Sequence, residues 1–165
     1  NVGVVGIIDG TGNGHDTLFL AKNSRKVYAF DVQKEAINRS RELCIDQNNI
    51  EFILNSHEFI NQYVNERIDI GIYNLGYLPK SDKSIATQAK TTITSLEKLI
   101  ELLSDDGMIF IEAYPHNLEE AEAIEVFARN NSFLQCLKTV ILNLDNTPTL
   151  YILTKKRAPK SRPNQ

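Results

Sequence analysis

The stretch Val4-Val5-Gly6-Ile7-Ile8-Asp9-Gly10-Thr11-Gly12-Asn13-Gly14-His15-Asp16-Thr17 limits the fold more than any other part of the chain. An apolar run stops at a carboxylate, crosses a glycine-rich turn and resumes as the helix-forming Leu18-Phe19-Leu20-Ala21. That order predicts a buried strand, a tight loop and the first turn of a helix. Gly10, Gly12 and Gly14 allow positive φ and the close approach of a ligand to the backbone. The unpaired N–H groups that open a helix face such a ligand. Loops of this kind, at the carboxyl end of a strand in an open α/β sheet, bind nucleotide-like groups.

The spacing argues against a dinucleotide. Counted from Gly10, the third glycine of G-x-G-x-x-G falls on His15, and counted from Gly12 it falls on Thr17. The next apolar run, Lys26-Val27-Tyr28-Ala29-Phe30-Asp31, ends in an acid about twenty residues beyond the glycines, where a carboxylate can accept both ribose hydroxyls. Asp9 and Asp16 flank the loop, and carboxylates attract a sulfonium cation but repel a pyrophosphate. The expected cofactor is therefore S-adenosyl-L-methionine. Its site is expected to take Asp9, the loop Gly10, Thr11, Gly12, Asn13 and Gly14, the helix start His15, Asp16 and Thr17, and Asp31, Val32 and Gln33 at the end of the second apolar run.

A chain of 165 residues, 42% hydrophobic and 24% charged, is long enough for one globular domain with a core. No run reaches membrane-spanning length and no leader is recognisable, so the expected location is cytoplasmic, without a membrane partner. Cys44 and Cys136 stand alone, so neither a disulfide framework nor a metal site is expected. The chain opens at Asn1 directly before an apolar run, and a preceding segment is expected in the natural protein. Lys155, Lys156, Arg157, Lys160 and Arg162 crowd five of the eighteen basic residues into the last eleven positions, leaving an acidic body. The domain is expected to span 1–157, with 158–165 a basic, flexible tail. That tail either attracts RNA or is simply solvated.

Helical spacing marks Gln33 to Asp46, with Ala36, Ile37, Leu43 and Cys44 inward, and Ser56 can cap a short helix from Glu58 to Asn65. Strands are expected at Ile50–Leu54 and at Ile68–Asn74, the latter apolar enough to be a buried parallel strand. A longer helix covers about Gln88 to Leu103, and Asp105-Asp106-Gly107 turns the chain into a strand from Met108 to Tyr114. Asn117 with Glu120 reads as a capping box for the helix that ends near Arg129. Strands at Phe133–Leu144 and Leu150–Lys155 close the chain. The alternation implies an α/β fold with a doubly wound, mostly parallel seven-stranded sheet and an antiparallel terminal hairpin.

A second chemical stretch, Asn74-Leu75-Gly76-Tyr77-Leu78-Pro79, follows the fourth strand, which lies beside the first in this topology. An Asn oxygen and a backbone carbonyl can accept the two hydrogens of an amine and so aim its lone pair. Tyr77 can stack on the ring that carries the amine.

With Asp82-Lys83-Ser84-Ile85 and Thr91-Thr92-Ile93, these stretches resemble the bacterial family first labelled putative rRNA methylases over nearly the whole chain. Its members act as tRNA 5-aminomethyl-2-thiouridine methyltransferases. The resemblance implies a class I, Rossmann-like S-adenosylmethionine-dependent methyltransferase fold. It also implies N-methylation of the 5-aminomethyl group on the wobble uridine of the tRNA anticodon loop, by a monomer or homodimer. Asn74, Tyr77 and Asp82 are then the expected catalytic residues, with Asp82 receiving or relaying the amine proton or else pairing with Lys80 or Lys83. Ser56 and His57 are expected near the adenine, and Asn74 and Leu75 along the cofactor. Gly76, Tyr77, Leu78, Pro79, Lys83, Tyr114, Asn143 and Asn146 are expected to meet the RNA. This sequence departs from the family pattern by one residue fewer between Asp9 and Gly12-Asn13-Gly14. It departs again at Tyr114-Pro115-His116-Asn117 and at Leu144 and Thr149. The competing readings are a methyltransferase for ribosomal RNA or a small amine, and a non-catalytic nucleotide-binding module.

Overall fold

The computed structural model describes residues 3–75 and 89–157. Elements follow in the order β1 (Val5–Asp9), α1 (His15–Lys22), β2 (Lys26–Asp31), α2 (Lys34–Leu43), β3 (Ile50–Leu54), a single 3₁₀ turn (His57–Phe59), α3 (Ile60–Tyr63) and β4 (Ile68–Leu75). Then come α4 (Ala89–Leu102), β5 (Leu103–Ala113), α5 (Leu118–Asn130), β6 (Leu134–Thr139) and β7 (Thr149–Lys155). The strands form one seven-stranded sheet in the order β3-β2-β1-β4-β5-β7-β6. β1 to β5 pair in parallel, and β7 joins β5 and β6 antiparallel. This is the expected doubly wound architecture with its terminal hairpin, and the order reverses between β1 and β4.

Both faces of the central strands are covered, which explains the unbroken apolar runs. On one face, Leu96, Leu99 and Ile100 of α4 and Ile124 and Phe127 of α5 pack with Ile7, Tyr73, Ile109 and Ile111 into the larger core. On the other, Ile8 and Val27 meet Leu20 and Ala21 of α1. Burying one such Leu or Ile side chain contributes about 1.5–3 kcal/mol. Gly6 keeps α1 close, because a β-carbon there would lie 2.5 Å from Leu20 Cδ2.

Several local expectations need correction. In α2 the inward residues are Ala36, Ile37 and Ser40, followed by Cys44, while Leu43 is turned to solvent. Gly14 lacks a side chain for a reason: a β-carbon there would lie 2.8 Å from Ser40 Cα, so α2 abuts the glycine loop. The region after Ser56 is a 3₁₀ turn followed by one short helical turn, not a helix reaching Asn65. β5 starts at Leu103 rather than Met108. Leu103 still pairs with Ile68 before the register shifts so that Met108 meets Ile70, and the residues between bulge out. β6 ends at Thr139, five residues short of the expected strand end. No capping box forms on α5. Asn117 makes no side-chain cap bond, and Glu120 turns inward to 1% exposure.

Candidate active site

Parallel register decides which residues share the sheet's carboxyl edge. Asp9 is level with Phe30 on one side and Tyr73 on the other. The next residues, Asp31, Gly10 and Asn74, therefore form one row, extended by Glu112, which pairs with Asn74. Two segments sixty-four residues apart meet in that row, as the amide of Asn74 donates to Gly10 O at 3.2 Å.

The loop is built on its glycines. Gly10, Gly12 and Gly14 have φ of 81°, 55° and 91°, in the left-handed region that side chains disfavour. A β-carbon on Gly10 would also lie 2.8 Å from Asn74 O. Thr11 N and Oγ1 donate to Asp31 Oδ2 at 2.9 and 3.3 Å, and Gln33 N donates to Asp31 Oδ1 at 2.8 Å. One carboxylate thus ties the loop to the end of β2 and, after these three bonds, keeps a lone pair on Oδ1 for a ribose hydroxyl. Burial raises the Asp31 pKa, the Gln33 N–H opposes this, and the Asp9 charge adds to the rise. Val32 beside it is half-exposed, an apolar surface at the rim. His15, Asp16 and Asn13 are exposed, whereas Thr17 is fully buried and its hydroxyl has no hydrogen-bond partner.

Asn74 is oriented by chemistry. Its Nδ2 donates to Gly10 O and to Asp16 Oδ2 at 3.1 Å, two acceptors that fix the amide assignment. Asn74 Oδ1 is the atom these two bonds leave uncommitted. Leu75 is fully buried, so any contact it makes at the rim is through its backbone. Gly76, Tyr77, Leu78, Pro79, Asp82 and Lys83 lie outside the described residues.

Ser56 caps the 3₁₀ turn through the Glu58 N–H at 3.4 Å. His57 lies beneath the loop at 3% exposure, its Nδ1 2.5 Å from Asp9 Oδ2 and its Nε2 3.3 Å from Thr91 Oγ1. It supports Asp9 from below rather than lining an open surface. Tyr114, half-buried, stands near Glu112 and Asp16, whose charges add to burial in raising its pKa. Asn143 and the left-handed Asn146 are exposed on the β6–β7 connection. Ala113 pairs with Thr149, so that connection leaves the sheet at the same edge, beyond β5.

Three participants were not among the site residues expected from the sequence: Glu120, Glu112 and Thr91. Glu120 had a signal, since it shares the inward spacing of Ile124 and Phe127 on α5. Burial pushes its pKa up to about 7. Burial and Asp16 also raise the Glu112 pKa. Carboxylates from β1, α1, β2, β5 and α5 thus gather at one edge, an arrangement that attracts a cation. Among the described residues no group of three or more His, Cys, Asp or Glu side chains is placed to hold a metal ion, and no helix is long and apolar enough to cross a membrane.

The sequence and fold have clear relatives. The tRNA (mnm(5)s(2)U34)-methyltransferase of Arabidopsis thaliana chloroplasts is 32% identical, over 91% of this chain. The chain spans 63% of that relative's length. A crystal structure from Streptococcus mutans, described as a "putative methyltransferase" in complex with SAH, superposes with a TM-score of 0.87 at 37% identity. The match covers 93% of this chain and 89% of that one. A "putative rRNA-methylase" from Clostridium thermocellum gives 0.84 at 32% identity, covering 92% and 88%. The family described as "Putative rRNA methylase" matches residues 27–155. With its glycine loop, Asp31 and Asn74 in one row at the edge of a seven-stranded sheet, the chain belongs to that family.

Proposed function

We propose that this protein is an S-adenosylmethionine-dependent N-methyltransferase acting on the 5-aminomethyl group of the wobble 2-thiouridine of tRNA, giving 5-methylaminomethyl-2-thiouridine. The observation that carries the reading is Asn74, whose amide nitrogen is held by Gly10 O and Asp16 while its oxygen is left to accept from an amine. The activity named for the Arabidopsis relative and the SAH bound to the Streptococcus neighbour support it.

The residues present fit the cofactor. The left-handed loop packs Gly10 against Asn74, where a β-carbon would meet Asn74 O at 2.8 Å, and Asp31 Oδ1 offers an acceptor for a ribose hydroxyl. Val32 offers apolar surface, and the surrounding carboxylates suit a cation. When bound, S-adenosylmethionine supplies an electrophilic methyl group. The chain's own task is alignment and presentation of a neutral amine. Asn74 Oδ1 holds one amine hydrogen and so fixes the direction of the lone pair. An alkylamine is largely protonated near neutrality, so it must lose a proton before it can attack. Asp82 is the proposed acceptor or relay for the departing proton. Tyr77 is the proposed stacking surface, and the proposed RNA contacts extend to Tyr114, Asn143 and Asn146.

The test uses tRNA carrying 5-aminomethyl-2-thiouridine, labelled donor and nucleoside mass spectrometry. One methyl group is expected on the wobble nucleoside and none on bulk tRNA lacking the aminomethyl group. Methylation of ribosomal RNA instead, or donor binding without transfer to either RNA, contradicts the proposal.

A further inference from the structure

Beneath the glycine loop lies a buried titratable cluster that amine alignment does not use. Asp9 ends β1, His57 opens the 3₁₀ turn, and Glu120 is in the first turn of α5. Their exposures are 8%, 3% and 1%. His57 Nδ1 is 2.5 Å from Asp9 Oδ2, and its other nitrogen reaches Thr91 in the first turn of α4. Both oxygens of Glu120 are buried, and the Asn117 side chain offsets only part of the effect of that burial. The groups that face His57 are Asp9 from β1, Glu58 from its own turn, Glu120 from α5, the Tyr73 ring from β4 and the Thr91 hydroxyl from α4.

We infer that His57, paired with Asp9, is a positioning residue that sets how strongly the glycine-loop site prefers the cationic methyl donor to its product. The inference rests on reading that loop as the donor site. Donor and product share the nucleoside and the amino-acid end. They differ by one methyl group and one positive charge at sulfur. A charge next to Gly10 therefore acts on their affinity ratio, and Asp9 is the residue next to Gly10. An imidazolium in contact with Asp9 offsets that carboxylate and weakens its pull on the sulfonium.

Burial alone lowers the His57 pKa, but Asp9, its hydrogen bond, Glu120 and Glu58 together outweigh this and hold it above the ordinary value. Glu120, pushed up to about 7, is largely protonated at slightly acidic pH. There the cluster is near neutral overall. As pH rises it loses protons, becomes negative and favours the cation. By linkage, bound donor must lower the His57 titration midpoint relative to bound product.

Two measurements test this. Calorimetry on wild type and His57→Gln compares affinity for S-adenosylmethionine and S-adenosylhomocysteine from about pH 6 to about pH 9. Preference for the donor is expected to climb with pH in wild type. In His57→Gln at about pH 6 it is expected to be already roughly three- to ten-fold higher, the size of one unit charge acting across a partly screened edge. A merely structural role weakens both ligands alike and leaves the ratio unmoved. The second measurement is the His57 imidazole resonance in the unaltered protein, which needs no folded variant. Its midpoint is expected to be lower with donor than with product. Equal midpoints in the two complexes overturn the inference, as does an unchanged ratio in a folded variant. Failure of wild type to bind the donor at all overturns the donor-site reading itself.

Discussion

Three side chains carry most of the chemistry that can be tested singly. Asn74→Ala is expected to abolish methyl transfer while leaving donor affinity within a few-fold, because it removes the free Oδ1 but not Asp31. Turnover near the wild-type rate takes Asn74 out of the mechanism. Asp31→Ala removes the carboxylate that ties Thr11 and Gln33 to β2. Calorimetry is expected to show donor affinity falling at least about ten-fold, the scale of losing charge-assisted hydrogen bonds. Glu120→Gln tests the buried acid through stability. In the unfolded chain Glu120 ionises near the ordinary glutamate value of 4.5, and burial in the fold pushes this up to about 7. Between those values the folded state keeps a proton that the unfolded chain has released, so wild-type stability falls as pH rises through that window. The variant is expected to match wild type near about pH 4 and to exceed it by about 1–3 kcal/mol near about pH 8 in denaturant titrations. Equal stability at both pH values shows that Glu120 ionises freely in the fold. Asp31 and Asn74 were legible because each ends a recognisable strand. Glu120 was read as a cap because Asn117 three residues earlier gives the same pattern, and only packing turns it inward.

The elements most readable in sequence were those with a continuous period. α4 shows this best: Leu96, Leu99 and Ile100 repeat at helical spacing and are buried together. Leu96→Ala is expected to cost about 2–5 kcal/mol, measured by chemical denaturation, because Leu96 is fully buried in the larger core. A loss below about 1 kcal/mol means that the core collapses around the cavity. α4 also buries Thr92 and Ser95, the latter 2.5 Å from the Tyr73 hydroxyl, so a polar contact lies within an otherwise apolar seam. Such pairings are invisible to periodicity. So is the bulge in β5: Asp105-Asp106-Gly107 has turn composition, yet Leu103 before it stays paired with Ile68. Gly107 belongs there by contact, since a β-carbon would lie 2.5 Å from Leu103 Cδ1.

For the whole molecule, the consequential fact is that five parallel strands end along one edge, with the hairpin connection between β6 and β7 opening onto the same side. The proposed RNA must approach a locally acidic edge, and the basic residues at 155–162 are the proposed counterweight. Removing 158–165 takes away Lys160 and Arg162. Affinity for tRNA is expected to fall and its logarithmic salt slope to shrink by about 1–2, measured by titration at several ionic strengths. An unchanged slope excludes both residues from the RNA contact. The chain alone determined the strand-loop-helix unit, the acid closing β2, the alternation of strands and helices and the place of Asn74 at the end of β4, because local periodicity and glycine stereochemistry leave few alternatives. Only the tertiary structure decided that Asn74 spends its amide on Gly10 and Asp16, and that His57 serves Asp9 from beneath. The same holds for Glu120, which packing turns inward to 1% exposure. Those outcomes depend on strand order and register, which bring together residues dozens of positions apart and which no local pattern encodes.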